Sequence, residues 1–416
     1  SLVCAGPRLR TRWMSLPCRT MSGMVEVGGS GMVAGERGRL RLLQASTFTS
    51  NVDRFAITPL LVPIGLELHA SLASVAAVAS GYFLAYGLMQ LVWGIVSDRI
   101  GRVRVMRITL VGAAVAGACS VVAPNLLLLG ITRVVAGACF AGIIPTTLVY
   151  VGDVWPAATR QRPISDILTA SATGIALATV GSGLVADLVG WRAVPGITAA
   201  VAAGLAVALR RLPEPDRPPA VGNPLRSVQA VLRSRWGRLV LVIVLTEGAV
   251  VLGVLTYLAP AVQALGRSAA VAGLVAATFG VGALACSRLV KALVTRVPRA
   301  GMAAIGGLCL VAGWAVPAVA VSVATVAVAG FAVGASWAFL HTTLQTWATE
   351  MVPAERATAV ALFATALFLG SALGTAAAAP SAEAGAYTAV FTWAAAVAVP
   401  VAVAAWWGRR RWDATR

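Results

Sequence analysis

Apolar residues in this chain come in runs of about 20 or slightly more, the helix length that crosses roughly 30 Å of hydrocarbon. The breaks between the runs are short, charged and rich in glycine or proline. Twelve runs can be counted. Six lie near residues 46–66, 71–97, 104–123, 126–150, 164–188 and 193–210. Six more lie near 238–262, 269–292, 300–318, 321–347, 357–378 and 386–407, and the first run of all is the least apolar. The pattern predicts an all-α polytopic membrane protein with twelve transmembrane helices.

The breaks are not equivalent. The longest, from Arg210 to Arg238, splits the spans six and six and holds Leu212-Pro213-Glu214-Pro215-Asp216 followed by a basic amphipathic piece from Pro224. Such a piece is expected to lie on an anionic membrane surface. A short pattern also recurs about 200 residues apart. Asp153, Pro156 and Arg160 follow the fourth span, and Glu350, Pro353 and Arg356 follow the tenth. Duplicated halves of this kind mark transporter folds. The expected units are an N-terminal bundle over 45–211, a central loop over 212–237, a C-terminal bundle over 238–408 and a basic tail over 409–416. Residues 1–44, with seven arginines, a Gly28-Gly29-Ser30-Gly31 patch and no apolar segment after the bases, read as a disordered tail or an over-extended start.

Composition agrees with the spans. The chain has 416 residues, 59% of them hydrophobic and 12% charged, with a mean hydropathy of +0.85. Soluble domains carry about twice that share of charge. A net charge of +18 would suit nucleic acid, but the bases sit in loops and tails, which is a topogenic pattern. Placing the amino terminus in the cytoplasm puts nearly every loop base inside, leaving Arg192 and Arg267 outside, so both termini are expected in the cytoplasm. Lys291 is the only lysine, which fits a GC-rich bacterial source and a bacterial plasma membrane. The six cysteines (Cys4, Cys18, Cys119, Cys139, Cys286 and Cys309) have no metal-type spacing. No metal, cofactor or nucleic-acid partner is expected, and a monomer is.

The densest polar feature is Gly94-Ile95-Val96-Ser97-Asp98-Arg99-Ile100-Gly101-Arg102-Val103-Arg104, between the second and third spans. It resembles the signature loop of the major facilitator superfamily, with Gly94, Asp98, Arg99, Gly101 and Arg102 at that pattern's positions. Arg133 and Gly137 resemble the family's R-x-x-x-G element in the fourth span. The resemblance covers residues 45–408 and implies two pseudo-symmetric six-helix bundles. The stretch from Leu340 to Glu350, with Pro353 and Arg356, resembles the branch of drug:proton antiporters and sugar-efflux-like permeases, as do Glu247-Gly248 and Tyr257-Leu258-Ala259-Pro260. Thr179 stands where the antiporter branch carries a proline in the fifth span. The resemblance further implies a conformational latch in which Asp98 and Arg102, helped by Asp153, brace the start of the eleventh helix near Glu355-Arg356-Ala357.

Ionisable residues inside the spans are costly and are tolerated where they line a cavity or find a partner. Asp53 and Arg54 stand about two turns into the first run, followed by Pro59 and Pro63, which can kink it. Two readings of Asp53 stand: a carboxylate that carries the coupling proton, or a permanent ion pair. Glu247 in the seventh span is the second proton candidate, with snorkelling toward the inner surface as its alternative. Arg133 can bind an anionic substrate, hold first-helix carbonyls or pair with Asp53. Counting rise per residue, the depths of Asp53 and Arg133 differ by about 15 Å, which argues against direct pairing. His341 and Gln345, with Trp337 one turn earlier, form a polar-aromatic stripe that either faces the cavity or is satisfied within the core.

These features point to a secondary active transporter that exports small amphipathic compounds or drugs by alternating access, driven by proton entry. Its partners would be a small-molecule substrate, protons and the lipid bilayer. Uptake or exchange of an organic anion or sugar-like metabolite is the rival, since Arg54 and Arg133 can bind a carboxylate. A G-x-x-x-x-G-K-[ST] loop is missing, and two histidines far apart do not make a membrane enzyme. A non-transporting sensor is the remaining alternative.

Overall fold

The computed structural model describes residues 34–156, 159–215 and 224–415. Helix α1 runs Ala34–Phe55, breaks through a 3-10 turn at Thr58–Leu60 and resumes as Leu61–Glu67. Pro59 has no N–H to continue the helical ladder, which accounts for the break. The first half is completed by α2 (Leu72–Ile100), α3 (Arg102–Val121), α4 (Leu126–Val154), α5 (Gln161–Val189) and α6 (Ala193–Arg211). A connecting helix, Pro224–Arg233, leads to α7 (Arg235–Gln263), α8 (Ala269–Leu293), α9 (Arg299–Val319), α10 (Val323–Glu350), α11 (Pro353–Glu383) and α12 (Tyr387–Ala414). Eleven of these helices, α2 to α12, are long and apolar enough to cross a membrane, and the more polar, interrupted α1 is the twelfth. The twelve-helix, all-α expectation is met.

Several boundaries move. The first helix does not begin at residue 45. It starts at Ala34, and Leu40 and Leu43 are buried in the core, so packing carries a run whose polarity resembles a tail. Residues 1–33 of the expected tail lie outside the described residues. The signature segment is not a loop from Gly94. α2 stays helical through Ile100, and the turn is confined to Gly101, whose φ of 117° disfavours any residue with a Cβ. The C-terminal half starts at Arg235 rather than 238, with Ser234 capping the helix. Arg409 is not in a free tail. It is 2% exposed inside α12 and is paired with Glu350 and Asp413, which neutralise it.

The face that carries the ends of α6 and α12 and the starts of α3 and α7 is the basic face. At the other, opposite face, Ser71, Asn125, Ser268 and Ser322 cap the starts of α2, α4, α8 and α10. Each such cap is worth about 1 kcal/mol. The two halves repeat their charge pattern on the basic face. Arg102 at the start of α3 bonds Asp153 at the end of α4 at 3.1 Å, and Arg299 at the start of α9 pairs with Glu350 at the end of α10. Six helices separate each member from its counterpart, as a duplicated fold requires.

Contacts between the halves concentrate from mid-depth to the opposite face. Thr365 in α11 donates to the Gly87 carbonyl of α2 at 3.0 Å. Nearer the opposite face, Gln263 of α7 donates to the Pro59 carbonyl at 3.1 Å, and Glu383 of α11 accepts from the Ala73 N–H. Asp187 of α5 accepts from the N–H groups of Ala269 and Ala270 in α8. On the basic side a cavity of about 480 Å³ opens between α1 and α5, lined by Gln44, Phe48, Asp166, Thr169 and Thr173. The hydrogen bonds between the halves named here thus lie from mid-depth to the opposite face, and the cavity lies toward the basic one.

Candidate functional site

The N-terminal half is built around Asp53. Its carboxylate, 3% exposed, accepts from Arg133 of α4 at 2.5 and 3.2 Å, from the Tyr82 hydroxyl of α2 at 3.0 Å and from the Thr198 hydroxyl of α6 at 2.8 Å. Four helices therefore meet on one carboxylate. The Arg133 guanidinium also lies 5.1 Å from the centre of the Tyr82 ring. This pairing contradicts the depth argument from sequence. With α1 starting at Ala34, Asp53 lies nineteen residues along it, about 28 Å at 1.5 Å per residue, and so reaches the level of Arg133. A void of about 20 Å³ adjoins the pair, bounded by Ile57, Leu60, Leu129 and Trp191, and it has room for one water molecule.

Arg54, the next residue, points elsewhere. It is 7% exposed and donates to the side-chain oxygen of Asn51, which itself donates to Ser171 of α5 at 2.5 Å. Three rings surround its guanidinium: Phe55 at 4.8 Å, Tyr86 at 4.9 Å and, from the other half, Phe368 at 5.0 Å.

The C-terminal half holds a second acid–base pair on the corresponding helices. Glu247 of α7 is fully buried, and its Oε2 lies 3.2 Å from Nδ1 of His341 in α10. The other oxygen, Oε1, is buried with no hydrogen-bond partner. Trp337 stacks on the His341 ring at 3.7 Å, and Phe363 of α11 lies 5.2 Å from it. Both helices are locally underwound into π-turns beside the pair, at Ala249–Gly253 and Trp337–His341. Such turns mark functional positions often enough to be evidence in themselves. Gln345 does not join this cluster: His341 is buried, whereas Gln345 is exposed one turn on. The two pairs sit at different depths. Arg133 is seven residues from the opposite-face start of α4, and His341 is eighteen from that of α10.

At the basic face Arg102 gathers Asp98, Ser97 and Asp153 within the N-terminal half. The bond described for the Asp98 carboxylate is to Arg102, not to α11. Gly94 lies in the α2 helix with open space beside it, and Arg99 is exposed at the end of α2. Sequence reasoning missed Glu214. Its carboxylate accepts from the N–H groups of Arg102, Val103 and Arg104 at 2.5, 3.2 and 3.1 Å, so the start of α3 is capped from beyond α6. A glycine followed by a helix with no capping side chain of its own was the available signal. A Cβ at Gly101 would stand 2.6 Å from the Glu214 carboxyl carbon.

The family model of the Major Facilitator Superfamily matches residues 44–375. A triacylglyceride transporter of Mycolicibacterium smegmatis is 26% identical over 180 residues, covering 41% of this chain and 32% of the relative. That of Mycobacteroides abscessus is 27% identical over 181 residues, covering 41% and 35%. The matched segments thus span about a third of the length of these curated relatives. Among solved structures, a bacterial homologue of the human lysosomal transporter Spinster, inward-facing and unoccupied, superposes with a TM-score of 0.73 at 18% identity, covering 91% of this chain and 98% of that one. A D-xylose–proton symporter does so with a TM-score of 0.73 at 17% identity, covering 90% and 98%. At such identities the likeness is one of fold.

Proposed function

The chain belongs to the Major Facilitator Superfamily, and from that premise we propose that it is a proton-coupled secondary transporter that exports amphipathic compounds by alternating access. It is a membrane transporter, not an enzyme. In this reading the basic face is cytoplasmic, the two halves rock about a central cavity, and the conformation described here is open to the cytoplasm.

The observation that carries the reading is the Asp53 carboxylate. Four helices of one half converge on it, so protonation would weaken the Arg133 pair together with the Tyr82 and Thr198 bonds. Removing one partner from a buried pair costs about 3–5 kcal/mol, enough to bias one packing of the half over another. A group whose proton is tied to helix packing is what coupling requires. Glu247 supports a second reading. It is a fully buried acid with one oxygen unpartnered and a histidine on the other.

Two findings favour an apolar cargo over a sugar. Two curated relatives carry the name triacylglyceride transporter, and the approach along α1 and α5 presents Ala45, Phe48 and Ala170 among its polar groups. The test is proton movement in proteoliposomes loaded with a pH dye. Adding an amphipathic substrate is expected to drive proton flux that an uncoupler abolishes. Transport that proceeds unchanged without a proton gradient overturns the reading.

A further inference from the structure

We propose that Arg54 recognises the anionic head of the transported compound, a carboxylate or phosphate monoester borne on an apolar chain. The proposal rests on the reading of the chain as a transporter whose cargo enters between the halves.

Three observations meet at this residue. The first is charge. Asp53 is taken up by Arg133, so among the described residues the N-terminal core of Asp53, Arg54 and Arg133 keeps one positive charge without a paired carboxylate. The polar partner described for Arg54 is the neutral Asn51, and its Nε is buried without a hydrogen bond. A buried cation left in this condition is costly unless an anion joins it in part of the cycle.

The second is position. Phe368 brings α11 of the C-terminal half onto the guanidinium, and Tyr86 lies 4.7 Å from Phe368 ring to ring, so Arg54 stands where the two halves meet. It lies beyond Phe48 and Asn51 on the same helix, inward from the 480 Å³ cavity. The acid that lines the cavity, Asp166, accepts from Gln44 of α1 through its backbone carbonyl, ten residues or about 15 Å along the helix from Arg54.

The third is shape. Phe55, Tyr86 and Phe368 surround the guanidinium carbon, and Nε makes no hydrogen bond, so the N–H edge keeps donors beyond the one given to Asn51. That edge matches the two oxygens of a carboxylate or phosphate, and the same rings offer an apolar wall for the chain attached to it. Phe363, five residues before Phe368 on α11, touches His341. One helix therefore joins the anion-recognition point of one half to the acid–histidine pair of the other.

The test is equilibrium binding to the protein in nanodiscs, with empty nanodiscs as background. The probes are radiolabelled decanoate and decyl phosphate, with decanol and decyltrimethylammonium as neutral and cationic counterparts. Wild type is expected to bind one or both anions. Arg54→Gln should weaken that binding about tenfold or more, and Arg54→Lys should keep part of it. Decanol binding should not change. Which anion binds more tightly tells a carboxylate cargo from a phosphate one. Should the glutamine variant fold poorly, Arg54→Met keeps the stem against the rings and must show the same loss. Anion binding unchanged in the neutral variants, or a cation bound as tightly as the anions, overturns the proposal. Arg54-dependent binding without any proton-driven flux would leave recognition standing and sink the transport reading instead.

Discussion

The carboxylate of Glu383, at the far end of α11, accepts a hydrogen bond from the Ala73 N–H at the start of α2, at 2.7 Å and across the two halves. Its counterpart is Asp187 at the far end of α5, which accepts from Ala270 at the start of α8 at 2.8 Å. Helix five corresponds to helix eleven and helix two to helix eight, so the same device closes the opposite face twice. An acid at a helix amino terminus is worth about 0.3–1 kcal/mol, and up to about 2 where partly buried.

Replacing both acids, Asp187→Ala with Glu383→Ala, should therefore weaken closure by about 2 kcal/mol, or roughly thirtyfold in the equilibrium. Single cysteines placed beside Gly183 and Gln263 would then label faster from the opposite face than in the otherwise unaltered protein. Labelling that stays the same would mean that these bonds do not set the balance.

The basic face makes a different demand. Glu214 supplies three acceptor contacts to the start of α3, whereas Asp98 keeps a half-exposed carboxylate on Arg102. Glu214→Ala should cost about 1–2 kcal/mol and lower the melting temperature by a few degrees. Asp98→Asn should leave the melting temperature within about a degree of wild type, since exposed pairs contribute little. It should slow transport if Asp98 engages α11 in the outward-facing state. Thermal unfolding and initial transport rates on the two variants separate the roles.

Close helix approach gives a third expectation. A Cβ at Gly370 would collide with the Leu245 carbonyl oxygen, and one at Gly374 with the Ala249 backbone. Backbone cannot yield as a flexible side chain can, so Gly370→Val should separate α7 from α11 next to the Glu247–His341 pair. Loss of monodisperse protein in detergent, with Gly94→Ala folding normally as control, is the expected outcome. Gly94 faces open space.

What the sequence revealed and what it hid follow from physics. The spans were legible because a bilayer demands a fixed length of apolar helix and tolerates bases mainly at its ends. The repeat of Asp153 and Glu350 was legible for the same reason, and each proves to hold an arginine from the start of the preceding helix. The Asp53–Arg133 pair was not legible, because the start of α1 reads as a basic tail and only Leu40 and Leu43 betray its packing. Depth was counted from a helix start placed about twelve residues too late. The π-turns beside Glu247 and His341 left no mark in composition, since they arise from packing rather than from a breaker residue. Glu214 sat in a proline-bounded loop whose partner, the start of α3, is more than a hundred residues away. The small-residue runs at Gly330–Gly334 and Gly370–Gly374 meet backbone or side-chain atoms of a neighbouring helix.

The proposal that a proton on Asp53 drives the cycle is tested most directly by substrate-induced proton flux in proteoliposomes carrying Asp53→Asn, with substrate binding measured on the same preparation. The account predicts binding retained and flux abolished, while Glu247→Gln reduces flux without removing it. Flux that persists at the wild-type rate in Asp53→Asn, with flux lost in Glu247→Gln, would contradict it and move the coupling proton to the acid–histidine pair of the other half.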